Sequence, residues 1–427
     1  MSDVERQAKG AIGFVEESAL HDETPFLKRC FRPLFILLRF TGLYLPNSRS
    51  VGNRKNSASI CATSRLIIIA VLFLLSVYRL INFMLQISVR KLDLLTSTTM
   101  VMFSWSLQAC ISVVFVAYWQ HYGYLDVYFN LLHSAQGSVA CKSNRRRIYG
   151  RFAVCLTLCV LGITCSLGVS LMGFLRGGQQ IALNDSVYYL FVVRELYWIA
   201  IGVLFYALCA WFAAITIYSN CVNGAVLEVR HLNEQLAKIG ENGQPAANTL
   251  LKFYITHSQL VTAVKQLDNT FEAYAFLMFG TNMPTTILSL YILLSNVHLS
   301  CATLASTAGG VVFSVIQLWA LSVTPARLHE AIHKAQEILY AEISIWYPYQ
   351  EDLYRIANTF VAHVGQTYLG ISIWGFALIT KPLILTTISL TITYLTIMLQ
   401  LKPSDETEIV ESLQNQMIQN QTIQLLS

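Results

Sequence analysis

Residues 382–401 read PLILTTISLTITYLTIMLQL, twenty consecutive residues without a charged side chain. A helix of this length is about 30 Å long, which matches the hydrocarbon thickness of a bilayer. Thr393, Thr396 and Gln400 share one face because they are three and four residues apart. Polar groups inside a membrane mainly face protein or a water-filled path. The segment therefore predicts a membrane-spanning helix. Its polar face, with Ile397 beside it, suits the lining of a narrow conduction path with an apolar gate. The alternative is that its hydroxyls bond to neighbouring helices.

The composition of the whole chain is that of a helical membrane protein. Of its 427 residues, 55% are hydrophobic and 12% are charged, which is too apolar for a soluble protein of this size. Six further apolar runs occur, at approximately 66–88, 99–119, 152–175, 187–216, 272–296 and 301–324. The sequence therefore predicts an all-α, polytopic fold with seven transmembrane helices.

Several other classes are not supported by the sequence. The first thirty residues lack the apolar segment of a secretory signal. The net charge of +5 is no nucleic-acid footprint, because the basic residues flank the membrane spans. The ten cysteines show no disulfide spacing and are interpreted as reduced packing residues. No cofactor is predicted.

The distribution of basic residues predicts the orientation. One set of segments carries 23 of the 29 lysine and arginine residues, and by the positive-inside rule it is cytoplasmic. That set comprises 1–65, 120–151, 217–271 and 325–381. With seven spans, the N-terminus is then cytoplasmic and the C-terminus extracellular. Asn184 begins a glycosylation sequon in a predicted outer loop, which agrees with this topology.

The chain divides accordingly. We expect a cytoplasmic N-terminal arm, six spans with cytoplasmic helical extensions, a cytoplasmic anchor region, the last span and an extracellular tail. The corresponding ranges are 1–65 with an interfacial helix at 31–45, 66–324 with extensions at 217–271, 325–381, 382–401 and 402–427. The extensions and the anchor have apolar residues at spacings of three and four, which is typical of amphipathic helices. Their apolar faces need a partner, either within one chain or between subunits.

Residues 357–380 are also apolar, and they adjoin the last span at Lys381. They are interpreted either as an eighth span or as an apolar helix buried in a cytoplasmic core. The second interpretation is favoured, because Lys381 is costly at mid-membrane and can extend to the aqueous phase from an inner boundary. Arg79 lies inside the first span with no evident acidic partner.

A charged pair, Arg194-Glu195, lies in the fourth apolar run and is followed by Trp198. Charges at this depth favour a cavity or a partner, so they predict a ligand pocket that opens outward between helices. An aromatic belt with an arginine extending to the interface is the alternative. Four further residues are predicted to complete the pocket: Trp105, Gln108, Met172 and Tyr291. Aromatic faces with few polar groups suit sugars and many bitter or aromatic molecules.

One motif points to different chemistry. His329-Glu330 and His333 form an H-E-x-x-H pattern on a predicted helix, the arrangement with which zinc metalloproteases hold their metal. No third ligand is evident in the sequence, although three glutamates are near. A membrane zinc hydrolase is therefore kept as an alternative, and neither a catalytic residue nor a metal ligand is assigned.

The last span resembles the signature that closes insect-type gustatory receptors, in which Thr-Tyr is followed by five apolar residues, Gln and Phe. Thr393-Tyr394 and Gln400 match it, whereas Leu401 replaces the Phe and Thr396 interrupts the apolar five. The segments Gly375-Phe376 and Lys381-Pro382-Leu383 are also similar to the final region of that family. The departures are typical of a divergent member.

The resemblance implies a tetrameric, ligand-gated, non-selective cation channel in the plasma membrane of sensory neurons. Four copies of the last helix, identical or from related receptors, would surround one pore, and a cytoplasmic anchor would supply most subunit contacts. Gln400 would then face the pore, Tyr394 would brace the helix, and 357–380 would be the core helix of the anchor. A small-molecule ligand would bind in the outer half of each subunit. Some nematode relatives respond to light or hydrogen peroxide, which is a second possibility within the family.

Two interpretations lie outside this channel function besides the zinc hydrolase. An inverted seven-helix receptor would signal through partners without conducting ions. A secondary transporter is less favoured, because the two halves of the chain show no internal repeat.

Overall fold

The computed structural model describes residues 25–41, 43–44, 57–89, 94–176, 197–241, 245, 247–295, 301–365 and 368–401. The helices are α1 Phe26–Cys30, α2 Arg32–Phe40, α3 Ser57–Val89, α4 Leu94–Tyr122, α5 Tyr124–Gln136, α6 Val139–Ser143, α7 Arg145–Arg176, α8 Tyr197–Leu236, α9 Ala247–Ser295, α10 Cys301–Ala341, α11 Ile343–Trp346, α12 Glu351–Val364 and α13 Lys381–Gln400. Two short strands, β1 Ser372–Ile373 and β2 Ala377–Leu378, form an antiparallel hairpin between α12 and α13.

Seven of these helices are long and apolar enough to cross a membrane, namely α3, α4, α7, α8, α9, α10 and α13. This confirms the predicted fold class, a helical polytopic membrane protein with seven spans. The orientation across the membrane stays a prediction. Asn184, the first 24 residues and the tail 402–427 lie outside the described residues.

Helix α8 lies at the centre of the main hydrophobic core. Its middle is apolar on all sides, as expected for a helix surrounded by other helices, and it contacts α4, α7, α9 and α10. Tyr218 illustrates the packing, because its hydroxyl donates to the Leu321 carbonyl on α10 at 3.1 Å while its ring contacts Phe271 on α9. On α4, the buried Trp119 donates from its indole nitrogen to the Thr270 carbonyl at 2.9 Å. These two bonds connect the helices and give the Tyr218 hydroxyl and the Trp119 indole nitrogen a partner.

Helices α8, α9 and α10 are much longer than a bilayer is thick. Helix α9 has 49 residues, hence a length of about 74 Å, whereas a hydrocarbon core is about 30 Å thick. All its charged residues precede Ala273, and 273–295 has none. The uncharged half of α9 is therefore the part that suits the membrane. The prediction that the charged half is an extension outside the membrane stays a prediction.

The extensions form a second hydrophobic core with α12. Leu236, Leu250, Leu339 and Phe360 are all buried there, from four different helices. The apolar faces predicted in 217–271 and 325–381 therefore meet inside one chain, as in the intrachain alternative for these faces. Their assignment as a cytoplasmic anchor stays a prediction.

The predicted core helix over 357–380 is wrong in its extent. Helix α12 ends at Val364, and the chain continues through the β1–β2 hairpin to α13. Gly365 follows the helix directly, and Gly375 lies in the hairpin turn with φ +71°. Glycine is unfavourable inside helices and permits positive φ, so these residues interrupt the apolar run. Fourteen helical residues span about 21 Å, which is too short for an eighth crossing.

The helix predicted at 31–45 is shorter than expected, and one of its sides is buried in the main hydrophobic core. Helix α2 covers Arg32–Phe40, and Phe31, Leu34 and Leu38 on one side of it are buried in the main core. The Arg39 guanidinium lies 4.6 Å from the Tyr44 ring centroid. One face of this amphipathic segment is thus used by the bundle.

Candidate pore and ligand site

Helix α13 is attached to the rest of the chain along one side. It contacts α9 and α10, and of its 20 residues only Thr387 is buried. Large apolar side chains elsewhere on it are exposed, including Leu385 at 69% and Ile397 at 44%. An apolar helix that leaves most of its surface uncovered requires lipid or another protein surface around it.

All four residues predicted to line a pore lie on the uncovered surface of α13. Thr393, Thr396, Ile397 and Gln400 are exposed, and so is Tyr394 at 51%. A shallow groove runs along this surface, lined by Leu385, Thr386, Ser389, Leu390, Thr393, Tyr394 and Ile397. The structure therefore places the predicted pore residues together, on a face that the described part of this chain does not occupy.

The hydroxyls on this face bond within their own helix. Thr393 donates to the Ser389 carbonyl and Thr396 to the Ile392 carbonyl, both at 2.9 Å. Within one described chain they do not join neighbouring helices, which was the alternative for these residues. A hydroxyl whose proton is used in this way still has oxygen lone pairs free to accept from water or to contact a cation.

The beginning of α13 is fixed to the bundle by two polar contacts. The Lys381 ammonium pairs with the Glu330 carboxylate on α10 at 2.8 Å. In β1 of the preceding hairpin, both the backbone amide and the hydroxyl of Ser372 donate to the Asp268 carboxylate on α9, at 2.6 and 3.0 Å. The last helix is thus connected to α9 and α10 immediately before it starts.

The H-E-x-x-H pattern has structural partners in place of a metal-ligand set. His329 shares a hydrogen bond with the Leu369 carbonyl at 2.9 Å through Nδ1, and Glu330 makes the ion pair with Lys381. The His329 and His333 rings lie 4.3 Å apart. In the part of the chain that the structure describes, no group of three histidine, cysteine or acidic residues could hold a metal ion.

A further histidine pair lies in the second core. His363 on α12 lies 5.8 Å from the His257 ring and 5.7 Å from the Tyr254 ring. Burial, with a smaller contribution from the positive charge of Lys265, lowers the pKa of His363. The imidazole is therefore neutral at neutral pH, which suits its apolar surroundings.

The predicted ligand residues are only partly brought together. Trp105 is half-buried on α4 and lies directly against Gly310 of α10, and Gln108 one turn further on is fully buried. Tyr291 is half-buried on α9, whereas Trp198 is 66% exposed at the start of α8. Arg194 and Glu195 lie outside the described residues, and of Met172 only its place in α7 is described. The proposed outward opening of this pocket stays a prediction.

The sequence analysis did not predict that two side-chain amides, those of Gln108 and Gln317, pair one helical turn from Trp105. The Gln317 amide on α10 donates to the Gln108 side-chain oxygen at 3.3 Å, and the nearby Asn282 amide on α9 donates to the Ser314 carbonyl at 3.1 Å. The remaining Gln108 nitrogen and the oxygens of Gln317 and Asn282 are buried with no hydrogen-bond partner among the described residues. The sequence feature that could have indicated this cluster is the presence of three side-chain amides inside uncharged membrane spans.

The hydrogen bond between Gln317 and Gln108 predicts that substitutions of these two residues have coupled effects on the free energy of unfolding. Gln317→Leu should lower the free energy of unfolding by about 1–3 kcal/mol, because it leaves the buried Gln108 amide without its partner. The double variant Gln108→Leu/Gln317→Leu should lose less than the sum of the two single variants. Thermal unfolding of the detergent-solubilised protein, followed by size-exclusion fluorescence, measures all three. Strictly additive losses would mean that the two amides are not coupled.

Comparisons with known proteins bear on the family and on the fold. The sequence model of the 7tm chemosensory receptor family matches residues 31–405. The structure is similar to that of the insect olfactory receptor OR5 from Machilis hrabei, with a TM-score of 0.62 and 14% sequence identity, over 88% of this chain and 99% of the other. The same receptor in complex with eugenol gives a TM-score of 0.63 at the same identity and coverage. No curated protein matches the sequence significantly.

Proposed function

The chain belongs to the 7tm chemosensory receptor family, and from that premise we propose that it is a ligand-gated, non-selective cation channel in the plasma membrane of a sensory neuron. A small-molecule ligand opens it, and four copies of α13, from identical or related subunits, surround the pore. The observation that carries this proposal is the uncovered face of α13, on which the groove and the predicted pore residues lie.

Four such faces around one axis give the chemistry that a cation path needs. The hydroxyl oxygens of Thr393 and Thr396 offer lone pairs without fixed charge, and Gln400 adds an amide at the end of the path. Ile397 lies on the same surface, and a ring of four isoleucines closes a narrow pore by excluding water. The contacts of α13 with α9 and α10 leave this surface free for the symmetric neighbours.

The ligand in this proposal binds between helices in the half of the bundle that contains Trp105. Its indole ring and the amide pair below it offer an aromatic face and hydrogen-bonding groups, which suits a small organic molecule with a few polar groups. The similar receptor OR5 has been solved with eugenol, a molecule of that kind. Light or hydrogen peroxide is the alternative stimulus for a member of this family.

Whole-cell recording from cells that express only this chain tests the proposal. A panel of sugars, bitter compounds, aromatic odorants, peroxide and short-wavelength light should contain a stimulus that evokes a cation current. Gln400→Ala should change the relative permeability to cations or the block by large cations, because the residue faces the ions.

Ile388→Ala is the matched control, since Ile388 is 47% exposed on a different side of the same helix. It should leave permeability unchanged. A current whose permeability does not distinguish the two variants would place the pore elsewhere. No current with any stimulus, from a chain shown to reach the cell surface, would favour a receptor that does not conduct or one that needs a partner subunit.

A further inference from the structure

The tip of the β1–β2 hairpin, defined here as residues 373–376, exposes two large apolar side chains. Trp374 is 54% exposed and Phe376 is 79% exposed. Their rings lie 5.0 and 6.1 Å from the Phe276 ring on α9, so the tip is held against that helix at its base and is uncovered on its outer side. Exposed aromatic groups of this size indicate a binding surface.

The backbone of the tip is one that tryptophan rarely adopts. Trp374 has φ +49° and Gly375 has φ +71°, and the Phe376 amide donates to the Ile373 carbonyl at 3.0 Å to close the turn. β-Turns with positive φ at both central positions favour Gly, Asn and Asp there. A bulky side chain kept at such a position indicates that it is used for something other than forming the turn.

The position of the tip along α9 is informative. The Trp374 amide donates to the Glu272 carbonyl at 3.3 Å, and Glu272 is the last charged residue before the uncharged segment 273–295. Phe276, which the tip contacts, lies about 6 Å further along the helix axis. The tip therefore lies where α9 changes from a charged to a lipid-compatible surface.

Helices α10 and α13 also change from a charged to an uncharged surface at this level. Lys381 is the last charged residue before the uncharged part of α13, and its partner Glu330 lies less than one turn from Arg327, the first charged residue of α10. Lysine at the end of a span extends its ammonium into the interface. The hairpin thus lies between the points at which α9 and α13 enter the membrane.

We propose that Trp374 and Phe376 insert into the interfacial region of the lipid bilayer and hold the start of α13 at that depth. An indole ring favours this zone because its N–H can be hydrated while its ring is in apolar surroundings, and a phenyl ring beside it buries apolar surface at the boundary of the acyl chains. The hairpin is continuous with the lipid-facing surfaces of two spans, so the bilayer is the partner that its position predicts. This inference depends on the membrane-spanning fold and not on ion conduction.

Photocrosslinking of the full-length protein in phosphatidylcholine vesicles tests it. In the variant Phe376→benzoylphenylalanine, irradiation should increase the mass of the protein by that of one phospholipid. The yield should be about tenfold higher than for the same probe at Tyr347, because aromatic groups at the interface contact lipid and those in water do not.

Two controls are available in the same chain. Tyr347 is 76% exposed and directly follows the short helix α11. Helix α10 runs about 21 Å past Arg327 before α11 begins, which predicts that Tyr347 lies away from the bilayer. Leu74 is 64% exposed in the middle of the first span and should give a lipid adduct. Unchanged elution volume of each labelled protein shows that it is folded.

Each result at position 376 decides the matter. A lipid adduct there, as at position 74, supports the proposal. A covalent dimer of the chain instead would assign the hairpin tip to a contact between copies and would overturn it. Failure to crosslink to lipid at 376 while position 74 succeeds would also overturn it.

Discussion

Trp119→Ala is expected to remove most of the folded receptor from the cell surface. The Trp119 side chain is completely buried where α4 meets α9, with its ring 4.8 Å from Phe271 and 5.1 Å from Tyr274. Deleting a buried indole costs about 3–5 kcal/mol through lost burial and the cavity that remains. The hydrogen bond from the indole to the Thr270 carbonyl is also lost, which adds about 1 kcal/mol. The sum is a large part of the stability of a typical domain.

Trp198→Ala is the matched control, because it removes the same side chain from a position that is 66% exposed. Fluorescence-detected size-exclusion chromatography after heating gives the midpoint of unfolding of both variants, and surface labelling gives their abundance. We expect a clear drop in both quantities for Trp119→Ala and values near those of the natural chain for Trp198→Ala. Equal behaviour of the two variants would show that the contact between α4 and α9 does not determine stability.

The spans were predictable because a bilayer makes one strong demand on sequence. About twenty predominantly apolar residues are needed for each crossing, and the seven predicted runs correspond to the seven long helices. The same rule was insufficient for 357–380, which is equally apolar. There the decisive features are local, since Gly365 and Gly375 favour a helix end and a turn over a continuous helix.

The polar face of α13 was predictable from spacing alone, since 3.6 residues per turn fix which side chains share a side. The pairing of Gln108 with Gln317 was not, because it joins residues 209 positions apart and depends on how α4 and α10 cross. Periodicity describes one helix at a time. It therefore shows that a side chain is unusual for its depth, without identifying the partner that satisfies it.

The hairpin also changes how the region before the last span is understood. A continuous core helix would have transmitted motion to α13 as a rigid rod. Instead a short hairpin makes the connection, and its position is set by Asp268 on one side and by the Lys381–Glu330 pair on the other. The ion pair is half exposed and contributes little energy, about 0–1 kcal/mol. The partly buried hydrogen bonds from Ser372 to Asp268 are consequently the stronger link.

Asp268→Ala should therefore release the hairpin from α9. The change removes the acceptor of the Ser372 amide and hydroxyl, and Ser372 is buried. Hydrogen bonds to a charged group contribute about 1.5–3 kcal/mol each, and even one such loss favours the undocked hairpin by about tenfold or more. Hydrogen exchange followed by mass spectrometry should show the amides of 372–379 exchanging at least about tenfold faster.

Asp268→Asn separates the loss of the bonds from the loss of the charge. Its side-chain oxygen can still accept from Ser372, so exchange in the hairpin should rise much less than in Asp268→Ala.

In the proposed channel, the Ala variant should also reduce the maximal evoked current at equal surface abundance, because α13 would no longer follow α9. Fast exchange with a normal current would mean that the hairpin is docked through Asp268 but does not carry gating motion. Unchanged exchange in both variants would mean that contacts other than Asp268, such as the ring contact with Phe276, suffice to hold the hairpin in place.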